Sequence, residues 1–253
     1  MHESPRYGLG EGVLLACCYA AIHAGLAAVL FLRRRRARRA GSERKWRRFG
    51  PALLIYAGWV IALFVGYRGG AFTAESVGAS TRVPALVAFA TGFGEYFLFQ
   101  YLWAAGLGVL GLSERVWVAV LRANAAAQPR HRLERIGVAL LVMFVNPVTE
   151  ELMTRGLLVH QLALSVPTGL AIALGAVVNA IHHAYQGWTL APVHLLFYAA
   201  TIALLYSPLG LFGAIGFHFA ADAMSVVGQR KSLRAYRELR RQQRKAKTRG
   251  ARS

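Results

Sequence analysis

Long apolar stretches separated by short polar segments are the feature that most constrains this sequence. A run of about 18 or more apolar residues is long enough for a helix to span the hydrocarbon core of a membrane. Hydrophobic residues make up 56% of the 253 and charged residues 16%, whereas soluble domains usually carry about 25% charged residues. The pattern predicts an all-α, polytopic membrane bundle of about seven helices, at 9–32, 51–67, 84–111, 136–161, 166–182, 190–206 and 209–228.

The basic residues are concentrated between these runs. The formal net charge is +19, and most of the 30 Lys and Arg residues fall in segments 33–48, 112–135 and 229–253. Cytoplasmic segments of membrane proteins carry such an excess of basic residues. We therefore expect an extracytoplasmic N-terminus, a cytoplasmic C-terminus and anionic lipid at the basic loops. We expect no nucleic acid as a partner, because no nucleic-acid-binding motif accompanies the charge. The first run also lacks a basic leader, so we expect a retained span rather than a cleaved signal peptide.

Ionisable residues inside predicted spans are costly and therefore indicate function. In the fourth span, Glu150 and Glu151 diverge by about 100° around an α-helix, so that each can serve a different partner. Arg155 lies four residues after Glu151 and is expected to pair with it, leaving Glu150 free to take up a proton. Pro147 should loosen the helix just before the two carboxylates. The alternative is a structural Glu–Arg pair that holds helices together.

Two further spans carry histidines. His182 ends the fifth span and His183 directly follows it. Neighbouring residues of a helix point in different directions, so only one of the two should face a site. His218 and Asp222 lie four residues apart in the seventh span and share a face, although they could simply bond to each other. Together these helices would supply a base, a proton shuttle and a charge stabiliser. No serine or cysteine has an obvious partner base, so activated water is the expected nucleophile.

These residues resemble the three motifs of the CAAX-protease and bacteriocin-processing family. Glu150-Glu151-x-x-x-Arg155 resembles the first motif, and His183 stands where the second motif, Phe-x-x-x-His, has its histidine. His218-x-x-x-Asp222 resembles the third motif, in which Asn or Asp follows His by four residues. Tyr185-Gln186-Gly187 is also similar to bacterial members. Asn179 departs from the pattern, because it occupies the phenylalanine position.

The resemblance implies an intramembrane endopeptidase of the bacterial inner (plasma) membrane. Its substrate would be a peptide or a protein, and membrane-bound substrates belong to this class. The predicted spans and the resemblance together divide the chain into N-terminal membrane helices with basic cytoplasmic loops (1–135), a catalytic core (136–228) and a basic cytoplasmic tail (229–253). The catalytic residues would be Glu150, Glu151, Arg155, His183, His218 and Asp222. Two alternatives are a catalytically silent immunity or scaffolding member of the family and an ion-coupled transporter, since intramembrane Glu, His and Asp also build proton relays.

Two versions of the chemistry are open at this stage. Without a metal, Glu150 and His183 would activate the water, while His218 and residue 222 would donate hydrogen bonds to the oxyanion. An ionised Asp222 cannot donate, so this version needs a protonated Asp222. With Zn²⁺ as cofactor, His183, His218 and Asp222 or a glutamate would be ligands. We favour the metal-free version, because the sequence lacks the His-Glu-x-x-His pattern of soluble zinc peptidases.

Other polar residues in the spans lie off the three motifs. We expect the histidines outside the pattern to pack or cap and to be dispensable for chemistry; they are His23, His160, His182 and His194. Glu95 has no partner nearby in the sequence, and its role is open.

Overall fold

The computed structural model of the chain describes residues 10–11, 13–22, 24–25, 29, 49–79, 82–126, 136–137, 139–183 and 190–250. The predicted span at 9–32 therefore lies only partly within the described residues. The basic segment 33–48 and Tyr185-Gln186-Gly187 lie outside them. The described residues form helices, and no strand occurs among them. This confirms the all-α prediction for that part of the chain.

The helices of the described residues are numbered α1 to α8 in chain order. They are α1 (Val13–Ile22), α2 (Phe49–Arg68), α3 (Ala85–Val109), α4 (Ser113–Ala126), α5 (141–161), α6 (Thr168–His183), α7 (Ala191–Leu205) and α8 (Gly210–Gly250). The bounds of α2, α3, α6 and α7 lie within two residues of those of the predicted spans. Each of these helices is an apolar run with Pro or Gly near its ends, which explains where it begins and ends. Helix α4 was not predicted, since its sequence was read only as a basic cytoplasmic segment.

Helix α5 changes its winding twice. Leu141–Val145 and Glu151–Gln161 are π-helical, and the short segment Asn146–Glu150 between them is α-helical with Pro147 in its first turn. Proline has no N–H to donate, so the ladder of hydrogen bonds must rearrange at this point. π-Helical turns close i→i+5 bonds, are rare, and occur frequently at functional sites.

Helices α3 and α8 approach each other closely through glycine. A Cβ atom added at Gly92 would lie 2.0 Å from the carbonyl oxygen of Gly213, and one added at Gly216 would lie 2.1 Å from that of Phe89. Small residues let helix backbones meet in this way. The contact fixes the part of α8 that carries His218, two residues beyond Gly216.

The segment between α2 and α3 folds back onto α5. Ala71, Phe72 and Val77 are buried there. The Nε2 amide of Gln161 donates to the Ala71 carbonyl over 3.3 Å, and Nδ1 of His160 lies 3.1 Å from the Ser76 carbonyl. His160 therefore holds the folded-back segment against the C-terminal end of α5. This is the kind of structural role expected for a histidine outside the motifs.

Helix α8 continues through the predicted end of the seventh span at residue 228. It runs unbroken for 41 residues, from Gly210 to Gly250, and α4 packs against it. No proline interrupts residues 229–250, which are rich in Arg, Lys, Gln and Leu, all good helix formers. The predicted tail is therefore a helical extension of α8 up to Gly250.

By length and composition, Gly210–Gly228 is the stretch among the described residues that could cross a membrane. The apolar helices Val13–Ile22, Leu54–Arg68, Thr168–His183 and Ala191–Leu205 are shorter than a full span. The seven-span arrangement therefore stays a prediction.

Candidate active site

The two neighbouring glutamates of α5 face different partners. Glu150 Oε1 lies 3.4 Å from His183 Nε2, at the C-terminal end of α6. Glu151 Oε1 lies 2.6 Å from His218 Nδ1, in α8. His218 Nε2 in turn lies 3.5 Å from Asp222 Oδ2. One site therefore brings together the predicted residues of α5, α6 and α8, including the four-residue pair of α8.

Arg155 contacts the carboxylates of both glutamates. Its Nε is 3.2 Å from Glu151 Oε2, which is the predicted pair, but its Nη1 is also 3.6 Å from Glu150 Oε1. The expectation that Glu150 would be left free of Arg155 is therefore wrong. The reason is the π-helical winding after Glu150, which brings residues five apart onto the same side as residues four apart.

Arg155 is also bonded to the helices that surround α5. Its Nε donates to Thr201 Oγ1 over 3.1 Å and its Nη2 to Asn179 Oδ1 over 3.4 Å. The guanidinium carbon lies 4.9 Å from the centroid of the Tyr198 ring. Asn179, at the position where the family that the motifs resemble has phenylalanine, accepts this hydrogen bond from the buried cation.

Both histidines at the end of α6 face Glu150. His182 Nδ1 lies 3.9 Å from Glu150 Oε1, only slightly farther than His183 Nε2. The prediction that only one of the pair faces the site is wrong, because the two rings lie nearly parallel with centroids 4.9 Å apart in the last turn of the helix. His194 of α7 continues the stack, with its ring 4.1 Å from that of His183. Among the histidines expected to be dispensable, His182 and His194 therefore border the site; His23 lies outside the described residues.

Asn146 belongs to this site, although no motif includes it. Its Nδ2 amide donates to Asp222 Oδ2 over 3.0 Å and lies 3.5 Å from His218 Nε2, and its Oδ1 accepts a hydrogen bond from Tyr56 OH. The sequence signal that could have identified it is its position four residues before Glu150, on the same helical face. Nothing in the sequence pairs it with Tyr56, ninety positions earlier.

Burial divides the site into a floor and a rim. Glu150, Glu151, Arg155 and His218 are buried, whereas the side chains of His183 and Asp222 are 18% and 19% exposed. A ligand would therefore approach along His183 and Asp222 and reach Glu150 and His218 behind them. Buried charges are tolerated when they are paired and hydrogen-bonded, as these are.

The side chains around Glu150 include a group that could hold a metal ion. In the part of the chain that the structure describes, Glu150, His182 and His183 form the group whose possible ligand atoms all lie within 4.8 Å of one another. The zinc set predicted from the sequence instead combined His183 with His218 and Asp222. One carboxylate and two imidazoles are a donor set that suits Zn²⁺ and leaves a position for water. These three residues would hold the ion, which would polarise the water and the carbonyl oxygen.

Comparison with protein-family models gives a match for part of the chain. Residues 132–224 match the family model described as Rce1-like, type II CAAX prenyl endopeptidase Rce1-like. The match confirms the resemblance inferred from the motifs, and it covers every one of the predicted site residues from Glu150 to Asp222. Tyr56 and the rest of α2 lie outside it. No curated protein and no solved structure matches the chain.

Proposed function

We propose that this chain, with its Rce1-like segment at 132–224, is a polytopic intramembrane endopeptidase that hydrolyses peptide bonds with an activated water. The observation that carries the proposal is the 3.4 Å approach of His183 Nε2 to the buried Glu150 Oε1, beside the rim of the site. A carboxylate and an imidazole at this separation can share the proton of a bound water. Peptide or protein substrates, including membrane-bound ones, are the class that the family match favours.

The steps use the two sides of the site. Glu150, assisted by His183, removes a proton from the water as its oxygen attacks the scissile carbonyl carbon. The carbonyl oxygen becomes an oxyanion, which hydrogen-bond donors beside His218 stabilise. The C–N bond then breaks, and the leaving amine takes the proton that Glu150 accepted. Glu151 holds Nδ1 of His218, and Arg155 holds Glu151.

The membrane setting is part of the proposal. Helices α2 and α3 expose many large apolar side chains, an amount of apolar surface that soluble proteins rarely leave uncovered. They include Leu54, Ile61, Phe64, Leu86, Leu98 and Leu102. We place the protein in the bacterial inner membrane, with the basic segments in the cytoplasm and against anionic lipid. The rim at His183 then opens toward the cytoplasmic half of the bilayer.

Replacement of the base tests the proposal. Glu150→Gln keeps the shape of the side chain and a hydrogen-bonding oxygen but cannot accept the proton of water. We expect peptide release by the purified protein in lipid vesicles to fall by about 10²–10⁴-fold, the usual contribution of an acid–base group. Thr149→Val is a matched control, because its hydroxyl bonds only to the Val145 carbonyl of the same helix.

A folded Glu150→Gln protein with normal turnover would contradict the assignment. If neither protein releases peptide, the same vesicles distinguish the alternatives: a proton flux that Glu150→Gln abolishes would indicate a transporter, and its absence would indicate a silent family member.

A further inference from the structure

Asn146 and Glu150 present their side chains on one face of α5. They are four residues apart in the α-helical segment Asn146–Glu150, so their side chains lie one turn from each other. Glu150 reaches His183 at one side of the site, and the amide of Asn146 reaches the His218–Asp222 pair at the other. A carbonyl group attacked by water at Glu150 would therefore have its oxygen close to Asn146.

Tyr56 sets the orientation of that amide. The Tyr56 hydroxyl donates to Oδ1 of Asn146, which turns the Nδ2 group toward α8. An amide carries two N–H donors on Nδ2, and Oδ1 can only accept. The opposite orientation would place Oδ1 against the carboxylate of Asp222 and lose the 3.0 Å hydrogen bond from Nδ2.

The donors around the site show why an amide is needed at this place. An ionised Asp222 has only acceptor atoms, so it cannot bond to an oxyanion. Nδ1 of His218 faces Glu151 at 2.6 Å, which leaves Nε2 facing both Asn146 Nδ2 and Asp222 Oδ2, each at 3.5 Å. One N–H of Asn146 is used by Asp222. Its second N–H and a protonated Nε2 of His218 are close enough to converge on a single oxygen.

We propose that Asn146 is the amide donor of the oxyanion site and that Tyr56 is its positioning residue. The proposal rests on the peptidase function proposed above. When water attacks, the carbonyl π electrons move to oxygen, which accepts hydrogen bonds from Asn146 and His218. When the C–N bond breaks, the carbonyl re-forms and these hydrogen bonds weaken. Asp222 keeps Asn146 in place and need not be protonated.

Moving the amide from one helix to the other tests the proposal. We expect Asn146→Ala to lower kcat by about 10²–10³-fold with KM changed only a few-fold, as for other oxyanion donors. Asp222→Asn, added to Asn146→Ala, supplies an amide from α8 and should recover at least tenfold of the loss, by our estimate from the same range. Thr149→Val serves again as the control in the same segment.

Tyr56→Phe reports on positioning. In the wild-type background it should lower kcat by about 3- to 10-fold, the effect of one neutral hydrogen bond. In the Asn146→Ala background it should have no further effect, because no amide is left to orient. A merely structural role for Tyr56 would give the same loss in both backgrounds.

The outcomes separate the two proposals. If the wild type is active and Glu150→Gln is not, a normal kcat for Asn146→Ala overturns the role of Asn146 alone. A loss that Asp222→Asn fails to relieve does the same, because it indicates that Asn146 only holds α5 against α2. If the wild type releases no more peptide than Glu150→Gln, both proposals fail.

Discussion

Arg155 is a fully buried cation with bonded partners on three helices. It lies against Glu150 and Glu151 of α5, Asn179 of α6 and Thr201 of α7. A buried carboxylate that loses its cation is left with an uncompensated charge, which costs about 3–5 kcal/mol. The position of the two glutamates therefore depends on Arg155, whatever chemistry they perform.

Substitution of Arg155 should act through folding. We expect Arg155→Ala to lower stability by about 3–5 kcal/mol, because it leaves two buried carboxylates without their cation. Heating of the purified protein in detergent, followed by size-exclusion chromatography, measures the loss. Arg115→Ala, on the exposed face of α4, is a control that removes the same charge. An Arg155→Ala protein as stable as that control, but inactive, would instead indicate a direct catalytic role.

The neighbours His182 and His183 separate the two versions of the chemistry. Without a metal, His183→Ala should reduce peptide release by about 10²–10⁴-fold and His182→Ala by less than about tenfold. The reason is that His183 Nε2, at 3.4 Å from Glu150 Oε1, is within hydrogen-bond distance, whereas His182 Nδ1, at 3.9 Å, is not. Zinc content, measured by elemental analysis together with activity, checks the alternative. Stoichiometric zinc that disappears with activity in both variants would show that Glu150, His182 and His183 hold the ion.

At the residue scale, the sequence predicted which ionisable groups meet but not all of their neighbours. Spacing along single helices indicated the Glu151–Arg155 and His218–Asp222 pairs, because residues four apart share a face. Contacts between different helices cannot be inferred from residue spacing in this way. Tyr56 and Asn146 are distant in sequence, and the approach of His182 to Glu150 depends on how two rings stack at the end of α6.

At the scale of elements, α5 illustrates a limit of sequence patterns. Its apolar run predicted a helix over 136–161, and Pro147 indicated a weak point, but periodicity does not distinguish α- from π-helical winding. The winding matters here because it brings Arg155 within reach of Glu150 as well as Glu151. Such turns persist because the surrounding structure stabilises them, and in α5 the hydrogen bonds of Arg155 to α6 and α7 supply part of that stabilisation.

The glycine contact between α3 and α8 gives a test with a close control. Gly92→Ala places a methyl group against the Gly213 carbonyl and should separate the two helices, whereas Gly94→Ala meets nothing within 4 Å. Alanine favours a helix over glycine by about 1 kcal/mol at both positions. We therefore expect Gly94→Ala to be neutral or stabilising and Gly92→Ala to lower both thermal stability and activity. Equal behaviour of the two variants would show that this contact does not set the position of His218.

At the scale of the whole molecule, the distribution of charge predicts the arrangement in the membrane. In the sequence, the basic segment 112–135 follows α3, and residues 229–250 of the last basic segment form the last part of α8. The folded-back segment 69–79 follows α2, whereas the basic segment 33–48 precedes it. Basic segments are retained in the cytoplasm during insertion. Segment 69–79 should therefore face the outside and the extension of α8 the cytoplasm.

Labelling of single cysteines in the full-length chain tests this orientation. Glu75 and Lys231 are exposed, and the native Cys17 and Cys18 can be replaced by alanine to give a cysteine-free background. We expect a membrane-impermeant maleimide to label Glu75→Cys in intact cells, and to label Lys231→Cys only after the membrane is opened. The basic residues make the inverted arrangement unfavourable, because it would translocate the 11 Lys and Arg residues of segment 229–253. Labelling of Lys231→Cys in intact cells would contradict the seven-span arrangement and would move the rim at His183 to the outer half of the bilayer.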